Sequence, residues 1–162
     1  MTEEIGSVKL DYSKYPGKDY YCDGGVEDEI LEIVKKHSPA EYGKVIEERR
    51  SWPVLYHLSP LRENIVDWLP IKKTDRVLEV GSGCGAVTGA LARKAGSVTC
   101  VELSKKRSLI NANRHKECSN VTIHVGNFKD IEPELPKDFD YICLIGIIFN
   151  SGKPGPQMIL PA

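Results

Sequence analysis

Three observations predict a doubly wound, mostly parallel α/β sheet with flanking helices. Strand-like and helix-like segments alternate from residue 76 onward. A turn with three glycines, Gly81-Ser82-Gly83-Cys84-Gly85, joins the first of those strands to the first helix. An acidic residue, Glu102, closes the next strand. Such alternation implies βαβ units, with ligands bound at the carboxyl ends of the strands.

In chain order, residues 1–25 are polar, with turn signals at Tyr15-Pro16-Gly17 and Asp23-Gly24-Gly25. A helix is expected over 26–36. Val26, Ile30, Ile33 and Val34 share one face there, and Glu27, Asp28 and Glu29 suit the positive end of its dipole. Residues 42–50 read as a surface turn or helix. Ser59-Pro60 opens another helix, serine as cap and proline at the first position, and Leu69-Pro70 ends it. Leu61, Ile65 and Trp68 would form its apolar face. Strands are then expected over 76–80, 98–103, 121–125 and 139–147, with helices over 86–95 and 105–115. Residues 1–70 are thus expected as a helical, lid-like segment and 71–162 as the sheet domain.

The 162 residues suffice for one domain with a core. A formal net charge of −1 supplies no basic field, so no nucleic-acid partner is expected. No apolar run has a membrane-spanning length and the acidic start is no signal peptide, which points to the cytoplasm. The five cysteines, Cys22, Cys84, Cys100, Cys118 and Cys143, are scattered. They imply reduced, mostly buried thiols and no metal site.

The glycine turn fits two patterns. One is the G-x-G-x-x-G/A dinucleotide fingerprint; the other is E-x-G-x-G-x-G, a signature of S-adenosylmethionine sites. Glu102 suits either, because an acid there can accept hydrogen bonds from ribose hydroxyls. Glu79 separates them. A carboxylate on a central parallel strand is costly to bury unless paired. A dinucleotide fold normally has an apolar residue there, whereas a site for the amino-acid end of S-adenosylmethionine has a use for an acid, near the ammonium group or the loop that holds it. The plainer alternative is a structural acid that fixes the glycine loop. Asn127 and Phe128, after the third strand, either read and pack on an adenine or form a plain turn with Phe128 in the core.

The runs Val77-Leu78-Glu79-Val80-Gly81-Ser82-Gly83-Cys84-Gly85, Val101-Glu102-Leu103, Gly126-Asn127-Phe128 and Phe139-Asp140-Tyr141-Ile142 resemble successive motifs of class I S-adenosylmethionine-dependent methyltransferases. The resemblance covers roughly residues 55–148. Tyr20-Tyr21-Cys22-Asp23-Gly24 and residues 56–65 look more narrowly like methyltransferase domains attached to bacterial polysaccharide glycosyltransferases. The family resemblance implies a Rossmann-like fold that binds S-adenosyl-L-methionine. Its cofactor residues would be Glu79, Gly81, Ser82, Gly83, Cys84, Gly85, Glu102, Leu103, Asn127 and Phe128. The acceptor would be a sugar or small molecule, with a glycosyltransferase partner or domain. No catalytic base is evident. His57 and Tyr21 reach the pocket if the N-terminal segment folds over it as a lid, and Gly146-Ile147-Ile148-Phe149-Asn150 carries no acid or histidine.

The resembled fold has seven strands, so this one is expected to stop after its fourth, in the order 3-2-1-4. Strand 139–147 would be an apolar edge: either the chain is a fragment of a longer domain, or that edge is covered by another copy in a homo-oligomer or by the N-terminal segment. The alternative readings are a nicotinamide-dependent oxidoreductase fragment and a cofactor-binding module without catalysis.

Overall fold

The computed structural model of the chain describes residues 1–19, 24–146, 148–149 and 158–159. The chain opens with an antiparallel hairpin of β1 (Thr2–Ile5) and β2 (Val8–Asp11) where polar turns were expected. The signal was local. Gly6-Ser7 between Ile5 and Val8 is a two-residue hairpin loop, and Gly6 takes φ +58°. A Cβ on Gly6 would lie 2.3 Å from the Lys116 carbonyl oxygen, which also accepts the Ser7 N–H at 2.6 Å.

Three helices follow: α1 (Gly25–Lys36), α2 (Tyr42–Arg49) and α3 (Trp52–Leu58). The last was not foreseen. Pro53 sits in its first turn, and Val54 and Leu58, four residues apart, are its buried face. Ser59 then accepts the Leu61 N–H and the chain makes a 3-10 turn over Pro60–Glu63 before the short α4 (Asn64–Asp67). The apolar face expected over this stretch is turned outward, with Leu61, Ile65 and Trp68 72%, 48% and 75% exposed. A 3-10 turn advances three residues per turn rather than 3.6, which breaks the i, i+4 register that face needed.

The remaining elements are β3 (Arg76–Val80), α5 (Thr88–Lys94), β4 (Ser97–Glu102), α6 (Lys105–Arg114), β5 (Val121–Val125), α7 (Phe128–Ile131) and β6 (Tyr141–Leu144). β7 (Ile148–Phe149) pairs antiparallel with β8 (Met158–Ile159). The main sheet runs β1-β2-β5-β4-β3-β6 and is parallel except between β1 and β2. Its inner order, β5-β4-β3-β6, is the expected 3-2-1-4. The expected stop at four strands is corrected: the sheet has six, because β2 adds parallel to β5 and β1 lies beyond it. β6 forms the opposite edge, with Ile142 and Leu144 outward.

Alternation along β3 sorts the core into layers. Val77 faces Leu91, Val98, Cys100 and Ile123 on the α5 side, whereas Leu78 and Val80 face Val101, Ile131 and Leu135 on the α7 side. A separate cluster of Ile30, Ile33, Val54, Leu58 and Ile110 seats α1 and α3 on α6. Lys94 Nζ donates to the Leu69 carbonyl at 2.7 Å and Arg93 pairs with Glu63, which ties the α4 segment to α5. No helix among the described residues is long and apolar enough to cross a membrane.

Leu10 on β2 is fully buried. Leu10→Ala is therefore expected to cost about 2–5 kcal/mol of unfolding free energy in urea titration. A loss below about 0.5 kcal/mol, the range of surface positions, would place the hairpin outside the cooperative core.

Candidate functional site

Past Val80 the backbone turns sharply, with Gly81 and Gly83 at φ +69° and +53°. Val101 carbonyl oxygen on β4 receives the Gly81 N–H at 2.7 Å and fixes the start of the loop. Glu102 fixes its middle. Oε2 accepts the Gly83 N–H at 2.8 Å and Oε1 accepts the Ser104 N–H at 2.9 Å. Burial raises the Glu102 pKa, against the pull of these backbone donors. The third glycine has a further reason. Gly85 has φ +75°, and a Cβ there would lie 2.4 Å from Asn111 Oδ1, so the residue gives α6 its close approach.

Glu79 is 3% exposed, on the α5 side of the sheet. Its Oε2 accepts the Thr88 hydroxyl at 2.7 Å and the Cys100 thiol at 3.5 Å. Burial pushes its pKa up to about 7, with the Thr88 and Cys100 hydrogen bonds opposing the rise. Glu79, Gly81, Ser82, Gly83 and Cys84 line one pocket. Ser82 Oγ is buried there without a hydrogen-bond partner among the described residues. A buried hydroxyl left unpaired suits a polar group arriving from outside the chain.

The far wall of the pocket comes from the N-terminal segment. Tyr56, His57 and Arg62 face the glycine loop, with the Arg62 guanidinium 4.4 Å from the Tyr56 ring centroid. Ile145 and Gly146 complete the wall after β6. His57 lines this pocket, whereas Tyr21 and Cys22 lie outside the described residues. Arg114 joins this wall to the loop, since its Nη1 donates to the carbonyl oxygens of His57 at 2.7 Å and Cys84 at 3.4 Å.

Arg107 also lines the pocket, and its buried guanidinium pairs with Glu27. Glu27, expected only to suit the positive end of the α1 dipole, is fully buried against α6. Asp19, equally unforeseen, accepts the Lys105 and Lys106 N–H groups at 2.7 and 3.1 Å at the start of α6, beside Glu102. Only the backbone proximity of Ser104 and Glu102 in sequence hinted at this corner.

Leu103 is buried beside Glu102. The Asn127 side chain accepts the Lys129 N–H at 3.0 Å and caps α7, and Phe128 packs on Leu78, Val80 and Val101. Both side chains therefore have structural work, of the kind the second sequence alternative described. The four described cysteines carry free thiols, and burial pushes Cys84 up to about 12.

A family model described as "Methyltransferase domain" matches residues 77–159. A ribosomal RNA small subunit methyltransferase A from Borreliella afzelii is 30% identical over 100 residues, 61% of this chain and 36% of that protein. An rRNA adenine N-6-methyltransferase from Bacillus licheniformis is 35% identical over 106 residues, 65% of this chain and 36% of that protein. A ubiquinone biosynthesis O-methyltransferase from Paracidovorax citrulli is 36% identical over 133 residues, 76% of this chain and 55% of that protein. The chain thus spans from about a third to about half of these relatives' lengths. Relatives named for ribosomal RNA overturn the expectation, drawn from net charge, of no nucleic-acid partner. Net charge averages over the surface and does not report a local binding face.

Because the folded Glu79 pKa of about 7 lies above its ordinary 4.5, the native state holds a proton that the unfolded chain releases. That stability is fully present below pH 4.5 and is lost as pH rises through 7. Glu79→Gln, always neutral, is expected to melt at the same temperature as the parent near pH 4.5. At pH 8 it should melt several degrees higher, the gain being at most about 3 kcal/mol. A lower melting temperature at pH 8 would mean that the carboxylate is held by stronger partners than those described.

Proposed function

The chain belongs to the methyltransferase-domain family, in its class I S-adenosylmethionine-dependent form, and from that premise we propose that it binds S-adenosyl-L-methionine and transfers its methyl group. The observation that carries the reading is Glu79: a buried carboxyl with a raised pKa, opening onto a glycine loop beside an unpaired Ser82 hydroxyl. An ammonium and a carboxylate on one ligand would satisfy both groups. Glu79 would take the ammonium, and Ser82 with the loop N–H groups the carboxylate. Glu102, at the end of β4, is the acceptor for the ribose hydroxyls. Leu103, Asn127 and Phe128 would hold the adenine, where Asn127 keeps its amide N–H₂ as a donor while its oxygen caps α7.

Bound there, the cofactor supplies a methyl group activated by its sulfonium. Because that leaving group is already activated, the protein's contribution is mainly alignment and exclusion of water. Tyr56, His57 and Arg62 provide the wall that excludes it. The acceptor approaches along that wall. Its nature divides the relatives, whose names specify adenine N-6 of rRNA in one case and O-methylation in another. The narrower resemblance to domains attached to polysaccharide glycosyltransferases adds a sugar hydroxyl to the acceptors worth assaying.

Isothermal titration with S-adenosylmethionine, S-adenosylhomocysteine and NAD tests the reading. The first two should bind saturably and Glu102→Ala should weaken both by at least about tenfold, the loss of a hydrogen-bonded charge. Binding of NAD alone would favour the oxidoreductase alternative, and binding of none would remove the proposal.

The pH profile is a further expectation. Affinity for S-adenosylhomocysteine should rise with pH as Glu79 ionises near 7, then fall at alkaline pH as the ligand's amino-acid ammonium, held by its own neighbouring carboxylate, loses its proton. A profile flat from pH 5.5 to 7.5 would show that Glu79 makes no contact with that ammonium.

A further inference from the structure

Behind Glu79, hydrogen bonds run in one direction through α5 and α6. The Thr88 hydroxyl donates to Glu79 Oε2, so its oxygen is free to accept the Asn111 Nδ2–H at 3.1 Å. With its nitrogen thus engaged, Asn111 turns Oδ1 toward His115 Nδ1, 2.8 Å away. His115 Nδ1 also lies 3.1 Å from the Asn111 carbonyl oxygen. Both neighbours of Nδ1 are acceptors, so the proton sits on Nδ1. Every donor in the series therefore points at the carboxyl group: His115 to Asn111, Asn111 to Thr88, Thr88 to Glu79. Thr88 and Asn111 are fully buried and His115 is 8% exposed, so water does not compete.

The chain of bonds is built in rather than incidental. Gly85 and Gly89 leave the space it occupies: a Cβ on Gly85 would meet Asn111 Oδ1 and one on Gly89 would lie 2.7 Å from His115 Nε2. Both bonds to Glu79 reach Oε2. Oε1 is the oxygen left for the pocket.

We propose that Thr88, Asn111 and His115 are positioning residues that orient the Glu79 carboxyl toward the cofactor's ammonium group and stabilise its negative charge. The inference rests on the cofactor reading above. Successive hydrogen bonds polarise one another in a low-dielectric interior, so remote members act on the carboxylate through Thr88. The other groups bearing on Glu79 are the Cys100 and Cys143 thiols on the flanking strands, Glu102, which opposes its ionisation, and Arg114, which favours it.

The test follows the Glu79 carboxyl carbon by NMR across pH in the cofactor-free full chain, and S-adenosylhomocysteine affinity by titration calorimetry at the same pH values. Thr88→Val is nearly isosteric and removes the donor. It should move the Glu79 midpoint upward by about one pH unit and weaken binding about tenfold at neutral pH. Thr88→Ser should restore both. Asn111→Leu, one bond further away, should shift the midpoint less and in the same direction, and it stands in if Thr88→Val does not fold. Parent protein that binds while Thr88→Val and Asn111→Leu leave the midpoint in place overturns the relay and spares the cofactor reading. Parent protein that does not bind overturns both.

Discussion

Keeping a carboxyl group inside a parallel sheet is the constraint to which the surrounding structure answers. Water would solvate Glu79 well; among the described residues its hydrogen bonds come from Thr88 and Cys100, with Arg114 adding a favourable charge. Their positions set what else is allowed. Thr88 must begin α5 where it does, Asn111 and His115 must reach it from α6, and Gly85 must lack a side chain so that they can. The third glycine of the motif is also a steric allowance for a polar contact behind the loop. The carboxyl is still under-solvated, which is why its pKa stays near 7. A site that is poorly satisfied when empty gains most from a ligand that brings a positive charge.

Two buried arginines connect that site to the N-terminal segment. Arg107 reaches Glu27 on α1 and Arg114 reaches the last turn of α3. A buried ion pair contributes little net stability, but removing one partner leaves an uncompensated charge. Arg107 and Glu27 thus make the placement of α1 on α6 hard to alter. Arg114 spends its donors on two carbonyl oxygens, one from the loop and one from the wall, so the two sides of the pocket hold a common spacing. The segment ahead of the sheet belongs to the site as much as the strands do.

Strands 76–80 and 121–125 and the two α/β crossovers were legible because each rests on local periodicity or on the glycine turn, whereas the inner sheet order was what the family resemblance implied. Glu79 and Glu102 were legible for a different reason: an acid at an otherwise apolar strand position or strand end stands out. The hairpin of β1 and β2 announced itself only through its Gly6-Ser7 turn, since Thr2-Glu3-Glu4 is polar and the pairing of β2 with β5 lies more than a hundred residues away. The burial of Glu27 was invisible because its partner, Arg107, is equally remote in sequence. Tyr56 and Arg62 entered the site only through the fold of α3 and the 3-10 turn after it, whose pitch no apolar pattern announces. Asn127 carried two readings in the sequence, and its cap on α7 supports the plainer one without removing the other.

Trp52 and Trp68 are the chain's two tryptophans, and both stand largely in solvent, 72% and 75% exposed. Trp52 lies 6.2 Å from the ring of Tyr56 on the pocket wall. Intrinsic fluorescence therefore reports on this wall and hardly at all on the core. Emission from the native protein should already be red-shifted, so global unfolding gives a weak optical signal. Anything that settles over α3 and α4 gives a strong one.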